Sequence, residues 1–218
     1  MTGEGGGFFV TVDGPSGAGK SATVDILHGL LAGQGRPAVR TAEPTTTALG
    51  AFTRSHADEI RGLALACLVA ATRYEHVETV IEPAVRAGRL VVSDRYLPST
   101  LVLQRLDGVP LEFLLDVNRH VRMPDLAVIL TASPAEITRR IASAGVTHRF
   151  RADPAAPGRE VELYREAAAQ LTSAGVNVLV VDNGAATPSD VAWRIARAIP
   201  VLPLASVPSP APATPQGT

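Results

Sequence analysis

Residues 14–21 read Gly14-Pro-Ser-Gly-Ala-Gly-Lys-Ser21 and match the pattern G-x-x-x-x-G-K-[ST] at every fixed position. They follow a short apolar run, Phe8–Val12, which ends in Asp13, and they lead into a helical pattern that extends to about Ala32. Glycines allow such a loop to turn successive backbone N–H groups onto a phosphate, and a helix N-terminus adds partial positive charge. The stretch therefore predicts a strand, a phosphate-binding loop and a helix, in that order.

The side chains of this loop predict a site for Mg-ATP. Lys20 would reach the β- and γ-phosphate oxygens, and Ser21 would ligate Mg²⁺. Lys20 is the only lysine in a chain with 19 arginines, and a compact ammonium suits a phosphate held against backbone amides better than a planar guanidinium does. The predicted ATP-binding residues are Gly14, Pro15, Ser16, Gly17, Ala18, Gly19, Lys20 and Ser21, with Lys20 also catalytic.

Four further apolar runs predict the other strands of a parallel sheet. They cover residues 38–41, 90–93, 126–130 and 176–181, and helical patterns separate them. Continuous apolar strands joined by helices are typical of a parallel sheet covered on both faces, because each crossover helix packs back on the sheet. The prediction is an α/β fold of the three-layer P-loop NTPase type, with a five-stranded parallel sheet and helices on both faces.

The longest helical pattern covers residues 58–82. It predicts one continuous apolar face, on which the single cysteine, Cys67, is inert core. Leu65, Leu68 and Val69 add apolar positions elsewhere on this helix, which favours a second covering surface in a homodimer. A kink or break is expected at Glu82–Pro83, because proline cannot sit in an unbroken helical turn. The predicted face consists of Ile60, Leu63, Cys67, Ala70, Tyr74, Val77 and Ile81.

Composition limits the partners and the location. The formal net charge is −1 and basic residues nowhere interleave with aromatics, which disfavours nucleic acid as a partner. No stretch approaches the roughly 18 apolar residues of a membrane span, and the first ten residues lack the basic start of an export signal. We expect a cytoplasmic protein with one domain over residues 1–199. Residues 200–218, with six prolines and no charge, predict a disordered tail.

A second carboxylate is predicted beside the phosphate loop. Asp94 ends the apolar run 90–93, where a parallel sheet would bring it next to the loop, and we predict that it joins Ser21 in binding Mg²⁺. Arg95 follows, where a water-splitting ATPase has a glutamate, and a positive charge there suits an anionic acceptor. The D-x-x-G and N-K-x-D motifs of GTPases are absent. These features indicate phosphoryl transfer from ATP to a small acceptor.

The order and spacing of the motifs resemble thymidylate kinases over roughly residues 8–199. The matching segments are GPSGAGKS from Gly14, TAEPTTTALGAFTR from Thr41, ATRYEHVETVIEPAVRAGRLVVSDRYLPSTLVLQ from Ala71 and MPDLAVIL from Met123. The resemblance implies a homodimer that transfers the γ-phosphate of ATP, with Mg²⁺, to a nucleoside monophosphate. The acceptor that it implies first is dTMP.

The resemblance also implies roles for residues around the acceptor. Glu43 and Pro44 match a turn that lines the acceptor site, Arg54 and Arg95 match arginines that grip the acceptor phosphate, and Arg73 matches an arginine that hydrogen-bonds the pyrimidine ring. Guanidinium groups pair bidentately with phosphate, which supports these roles. The predicted acceptor set is Asp13, Glu43, Pro44, Arg54, Val69, Arg73, Arg95, Ser99, Thr100 and Gln104, with Arg95 also catalytic.

Residues 139–158 resemble the lid of this family. Four arginines, Arg139, Arg140, Arg149 and Arg151, precede a Pro/Gly-rich stretch, and a lid arginine can stabilise charge on the transferring phosphoryl group. The phosphate loop contains no arginine, so the lid has to supply one. Arg149 is the first choice for this catalytic residue.

Three positions depart from the family pattern. Val69 stands where thymidylate kinases have a phenylalanine that stacks on the base, Ser16 replaces an acidic residue of the loop, and Leu103 replaces a tyrosine near the sugar. The base and the sugar of the acceptor are therefore open, and another or a modified pyrimidine nucleotide is an alternative to dTMP. Further alternatives are a nucleoside kinase and a non-catalytic ATP-binding regulator.

Overall fold

The structure, a computed structural model, describes residues 6–144 and 156–202. Within these ranges five strands form one parallel sheet in the order β2-β3-β1-β4-β5. The strands are β1 (Phe8–Asp13), β2 (Ala38–Ala42), β3 (Leu90–Asp94), β4 (Leu126–Thr131) and β5 (Asn177–Asp182). The predicted α/β fold with five parallel strands is confirmed.

Helices cover both faces of this sheet. Alternate residues of a strand point to opposite faces, so Val10 and Val12 pack in one cluster with Leu27 and Ile195, whereas Phe9 packs in another with Tyr96. The helices are α1 (Lys20–Gly33), α2 (Ala48–Ser55), α3 (Gly62–His76), α4 (Glu82–Arg86), α5 (Leu97–Leu106), α6 (Leu111–Val117), α7 (Pro134–Ala144), α8 (Ala156–Ser173) and α9 (Pro188–Ala198).

The strand register places the predicted chemistry at one edge. Val12 lies opposite Asp94 of β3, and Asp13 lies opposite Ile129 of β4. Because parallel strands end at the same edge of a sheet, the loop after β1 and the carboxylate at the end of β3 become neighbours.

The helix that carries Arg73 differs from the prediction in its start and its buried face. α3 begins at Gly62 rather than Asp58, because residues 56–59 form turns. Leu63 is 52% exposed and Cys67 is exposed, so the prediction that Cys67 is core is wrong. This stretch is apolar on every side, so periodicity alone could not identify the face. The buried residues of α3 are Leu65, Ala66, Ala70, Thr72, Arg73 and His76.

The break expected at Pro83 is a change of helix type. Val77–Ile81 form a π turn between α3 and α4, and Pro83 lies in the first turn of α4. Proline lacks the N–H that an α-helix would use there. The wider turn ahead of it accommodates this loss, so helical structure continues to Arg86.

Parts of two predicted segments lie outside the described residues. They are 145–155 of the lid, with Arg149 and Arg151, and 203–218 of the tail. The predicted domain bounds stay predictions. In the described part of the chain, no helix combines the length and the apolar character that crossing a membrane requires.

Candidate active site

The phosphate loop joins β1 to α1. Gly14, Gly17 and Gly19 have φ values of 146°, 78° and 80°, a region that residues with a Cβ rarely adopt. A Cβ on Gly14 would also lie 2.4 Å from the carbonyl oxygen of Leu130. The turn itself and its packing on β4 therefore require the glycines of the motif.

Lys20 is held inside this loop. Its side chain is 5% exposed, and Nζ donates to the carbonyls of Gly14 and Pro15, each at 2.8 Å. Burial first, and then the positive charge of Arg95, lower the pKa of Lys20 to about 7, while Glu160 and other carboxylates oppose the shift. An anion bound at the loop would favour the charged form of this lysine.

Ser21 and Asp94, the predicted metal ligands, lie in contact. Ser21 Oγ donates to Asp94 Oδ2 at 2.5 Å, and Asp94 Oδ1 is buried without a hydrogen-bond partner among the described residues. Oxygen ligands of this kind suit Mg²⁺, which usually keeps several waters and binds substrate phosphates as well. The same residues contain no cluster of three or more His, Cys, Asp or Glu side chains suited to a metal. The pair therefore fits an ion whose other ligands are water and phosphate.

A cavity of about 320 Å³ opens beside the phosphate loop and shares Ser16 with it. Of the predicted acceptor residues, all but Asp13 and Arg54 line this cavity. The lining residues are Ser16, Glu43, Pro44, Thr53, Ala57, Asp58, Leu65, Val69, Thr72, Arg73, Arg95, Tyr96, Ser99, Thr100, Leu103 and Gln104.

Asp13 and Arg54 support the cavity from outside its lining. Asp13 is fully buried, and its Oδ1 accepts bonds from Ser99 Oγ at 2.6 Å and from the N–H groups of Tyr96 and Ser99 at 2.9 and 3.1 Å. Burial raises the pKa of Asp13. Arg54 is exposed and donates to the carbonyl of Pro44. Asp13 thus fixes the start of α5, and Arg54 fixes the turn after β2.

Arg73 is buried, and most of its donors are used by the protein. Nε and Nη2 donate to Glu43 Oε2 at 3.0 and 2.7 Å, Nη2 also donates to Thr100 Oγ1 at 2.7 Å, and Nη1 donates to Asn118 Oδ1 at 2.7 Å. The guanidinium carbon lies 5.1 Å from the centroid of the Tyr96 ring. Within the described residues these bonds use four of the five N–H groups of an arginine. One N–H on Nη1 is left for a ligand.

Glu43 connects this arginine to β2. It precedes Pro44 in a cis peptide bond, and its Oε1 lies 3.1 Å from His76 Nδ1. His76 Nε2 in turn lies 2.7 Å from Thr41 Oγ1. A buried chain of contacts therefore runs from β2 through His76 and Glu43 to Arg73, which is pre-positioned in the cavity wall.

Arg95 turns the chain at the end of β3. It is the one non-glycine residue with positive φ, at 72°, in the described part of the chain, and its N–H donates to the carbonyl of Val12 at 3.0 Å. Its Nη1 is buried without a hydrogen-bond partner in the same residues. Strained backbone of this kind concentrates at functional sites. A buried, unpaired guanidinium nitrogen on the cavity wall favours an anionic ligand.

The sequence is similar to those of known proteins. The sequence model of the family described as thymidylate kinase matches residues 12–181. This chain belongs to the thymidylate kinase family. It is thereby a phosphotransferase of the nucleoside monophosphate kinase class, as the sequence predicted.

Curated relatives named probable thymidylate kinase cover about two thirds of the chain. That of Thermococcus gammatolerans is 37% identical over 155 residues, which are 66% of this chain and 74% of the relative. That of Caldivirga maquilingensis is 34% identical over 146 residues, 65% and 71% of the two chains. That of Pyrococcus abyssi is 36% identical over 152 residues, 66% and 74%.

The three departures from the thymidylate kinase pattern all lie on this cavity. Val69 and Leu103 line it together with Leu65, and this part of the wall is aliphatic. Gln104 is 5% exposed, and its Oε1 has no hydrogen-bond partner among the described residues. Ser16 lies where the cavity meets the phosphate loop. The cavity thus offers an apolar surface next to polar groups of α5.

The two described arginines of the predicted lid are already paired. Arg139 is 73% exposed and pairs with Glu136. Arg140 donates to Glu136 Oε1 at 2.6 Å, to Asn183 Oδ1 and O at 3.2 and 2.9 Å, and to the Gly184 carbonyl at 3.3 Å. Arg140 therefore holds α7 to the turn after β5. The prediction for Arg149 concerns a residue outside the described ones and stays a prediction.

Residues that sequence reasoning missed lie on α8 and after α6. Glu160 Oε1 accepts from Ser16 N at 3.1 Å, and the Tyr164 hydroxyl lies 3.2 Å from Ser99 Oγ. Asn118 accepts from Arg73, as described above. A signal existed for the first two, because they stand four residues apart on a helix face that is otherwise apolar. That buried face consists of Ala156, Glu160, Tyr164, Ala167, Ala168 and Leu171.

Proposed function

We propose that this protein transfers the γ-phosphate of ATP to a pyrimidine nucleoside monophosphate, with dTMP as the first candidate. The observation that carries the proposal is the shared position of Ser16, which belongs to the phosphate loop and also lines the acceptor cavity. An acceptor in this cavity would lie against the loop that holds ATP, as direct transfer requires. The names of the curated relatives support dTMP.

The charged side chains around the point where the phosphate loop meets the cavity would divide between ATP and the acceptor. Lys20 would hold the β- and γ-phosphates of ATP, and Arg95, with its unpaired Nη1, would hold the acceptor phosphate. Ser21 and Asp94 would bind Mg²⁺, which when bound neutralises charge on the β- and γ-phosphates. Arg149 keeps its proposed role at the transferring phosphoryl group.

The base would be read by a small number of polar groups. Arg73 keeps one N–H for a carbonyl of the pyrimidine, and the Gln104 amide can pair with a ring nitrogen. Both side chains are buried, so leaving their polar atoms unpaired is costly, and a base that pairs with them is favoured. A carbonyl next to a ring nitrogen, which every pyrimidine base has, can pair with both groups.

A modified pyrimidine nucleotide is the second candidate acceptor. The specific observation behind it is the aliphatic wall formed by Leu65, Val69 and Leu103. A valine at position 69 gives up the stacking that a phenylalanine there would provide, and the aliphatic part of the wall leaves apolar surface for an additional substituent.

We also propose that the protein is a homodimer that pairs through α3. Leu63 is 52% exposed on this helix, Cys67 is exposed one turn later, and Leu115 of the adjoining α6 is 39% exposed. Apolar groups together on one surface favour a protein contact. A cytoplasmic location and the lack of a nucleic-acid partner stay predictions from composition.

The test is ADP release with Mg-ATP and a panel of ribo- and deoxynucleoside monophosphates, the free nucleosides, and a Lys20→Ala control. We expect dTMP to be preferred in a reaction that depends on Lys20. Preference for another pyrimidine monophosphate would reassign the base, and activity on free nucleosides alone would contradict the acceptor-phosphate role of Arg95. Tight ATP binding without acceptor-dependent ADP release would favour a non-catalytic regulator.

A further inference from the structure

One buried carboxylate has no part in the chemistry described so far. Glu160 on α8 is 3% exposed, and its Oε1 accepts a hydrogen bond from the backbone N–H of Ser16 at 3.1 Å. Burying an ionised carboxylate is costly unless it is paired or hydrogen-bonded. The hydrogen bond from Ser16 partly offsets this cost for Glu160, and it joins α8 to the phosphate loop, 144 residues away in sequence.

The Pro15–Ser16 peptide links this carboxylate to Lys20. Its N–H donates to Glu160, and its carbonyl accepts from Lys20 Nζ at 2.8 Å. The N–H and C=O of a trans peptide point in opposite directions, so the carboxylate and the ammonium lie on opposite sides of it. Hydrogen bonds at the two ends of one peptide polarise each other and fix its orientation. Carboxylate, peptide and ammonium therefore form one continuous chain of contacts.

The same helix also contacts the residues that precede the loop. Tyr164, one turn after Glu160, places its hydroxyl 3.2 Å from Ser99 Oγ, which donates to Asp13 Oδ1 at 2.6 Å. Asp13 directly precedes Gly14. α8 thus fixes the loop through Ser16 and supports its start through Asp13, and it does so with polar atoms on a helix face that is otherwise apolar.

We infer that Glu160 is a positioning residue for the phosphate loop, which through the Pro15–Ser16 peptide fixes the place where Lys20 meets the phosphates of ATP. The inference rests on the proposed use of ATP and is independent of the acceptor. It predicts that the hydrogen-bond acceptor at position 160 matters for nucleotide binding, whereas packing there does not.

Three substitutions separate the contribution of the acceptor oxygen at position 160 from the contribution of packing. Glu160→Met keeps the approximate volume and removes the acceptor oxygen, and Glu160→Gln keeps an acceptor oxygen without the charge. Glu162→Met is the matched control, because Glu162 lies on the same helix, is 55% exposed and, among the residues that the structure describes, pairs with Arg165 in the next turn. The measurements are the dissociation constant of Mg-ATP by titration calorimetry without acceptor, and unfolding in urea.

We expect Glu160→Met to weaken Mg-ATP binding by about tenfold, as the loss of a hydrogen bond to a charged group implies. Glu160→Gln should stay within about threefold of the wild type, because a neutral acceptor retains part of that bond. Glu162→Met should bind like the wild type. The free energy of unfolding of Glu160→Met should fall, because the Ser16 N–H loses its acceptor, so binding is measured at a temperature where both Glu160 variants are fully folded.

Three outcomes would overturn the inference. They are wild-type affinity in Glu160→Met, equal weakening in Glu160→Met and Glu160→Gln, and an affinity loss that disappears under conditions where the variant is fully folded, which a purely structural role predicts. Failure of the wild type to bind Mg-ATP would overturn the proposed function as well. Binding of Mg-ATP without turnover on any tested acceptor would contradict only the acceptor assignment, and the affinities of the variants would still decide the role of Glu160.

Discussion

Replacement of Glu43 by glutamine should lower the free energy of unfolding by about 3–5 kcal/mol. The two oxygens of Glu43 contact two partners, with two hydrogen bonds from Arg73 to Oε2 and a contact of 3.1 Å between Oε1 and His76. The side chains of Arg73 and Glu43 are 1% and 7% exposed, so water cannot replace the lost charge. The glutamine variant leaves an uncompensated guanidinium in the core, and this is the main source of the expected loss.

The assay is urea unfolding followed by far-ultraviolet circular dichroism. The decisive comparison is the double variant Glu43→Gln with Arg73→Met, which removes both charges and should recover most of the loss, because a buried ion pair replaced by neutral groups is often close to neutral in stability. An exposed pair supplies the control. Glu162→Gln, which faces Arg165 at the surface, should change the free energy of unfolding by less than about 1 kcal/mol.

Two results would refute this reasoning. A loss below about 1 kcal/mol in Glu43→Gln would mean that the pair is screened like a surface pair. A double variant as unstable as the sum of its single variants would mean that Glu43 and Arg73 contribute independently, and their coupling would then be absent.

Three further predictions concern Val69 in the cavity wall, Asp94 as a metal ligand and the buried carboxyl group of Asp13. Val69→Phe should lower KM for dTMP by about tenfold, because stacking on a base contributes about 1–3 kcal/mol; with Val69→Leu as the control, an unchanged KM would contradict a base-facing Val69. Asp94→Asn should raise the Mg²⁺ concentration for half-maximal activity by about tenfold or more, and equal Mg²⁺ titrations would speak against Asp94 as a ligand. Because burial raises the pKa of Asp13, its contribution to stability is present below the unfolded pKa of about 3.9 and is lost as pH rises toward the raised native value. Asp13→Asn should therefore remove a decline in the urea unfolding free energy from about pH 4 upward, and parallel curves for variant and wild type would rule this out.

The parts of the structure that depend on local pattern were predictable. The phosphate loop needs glycines at fixed positions, and the strands are apolar runs separated by helices, so both follow from short stretches of sequence. Asp94 followed as well, because the end of a parallel strand next to β1 must lie beside the loop. The family resemblance then predicted eight of the residues that line the cavity.

The features that the sequence could not predict depend on contacts between residues far apart in the chain, or on a helix whose faces do not differ in polarity. The stretch around Cys67 is apolar on every side, so the periodicity did not distinguish its buried face. Arg73 meets Asn118 across 45 residues and Ser16 meets Glu160 across 144. The apolar face of α8 marks Glu160 as unusual but does not say which distant residue it contacts, and no local pattern marks Asn118, so both partners appear only once the helices are packed.

The lone lysine also makes the phosphate loop measurable by proteolysis. A protease that cleaves only after lysine has a single peptide bond to attack in this chain, Lys20–Ser21, and Lys20 is 5% exposed at the start of α1. Cleavage there requires local opening of the loop and the first helical turn. The rate at which fragments 1–20 and 21–218 appear therefore reports that opening in unlabelled protein, and a ligand of the closed loop slows it in proportion to its occupancy.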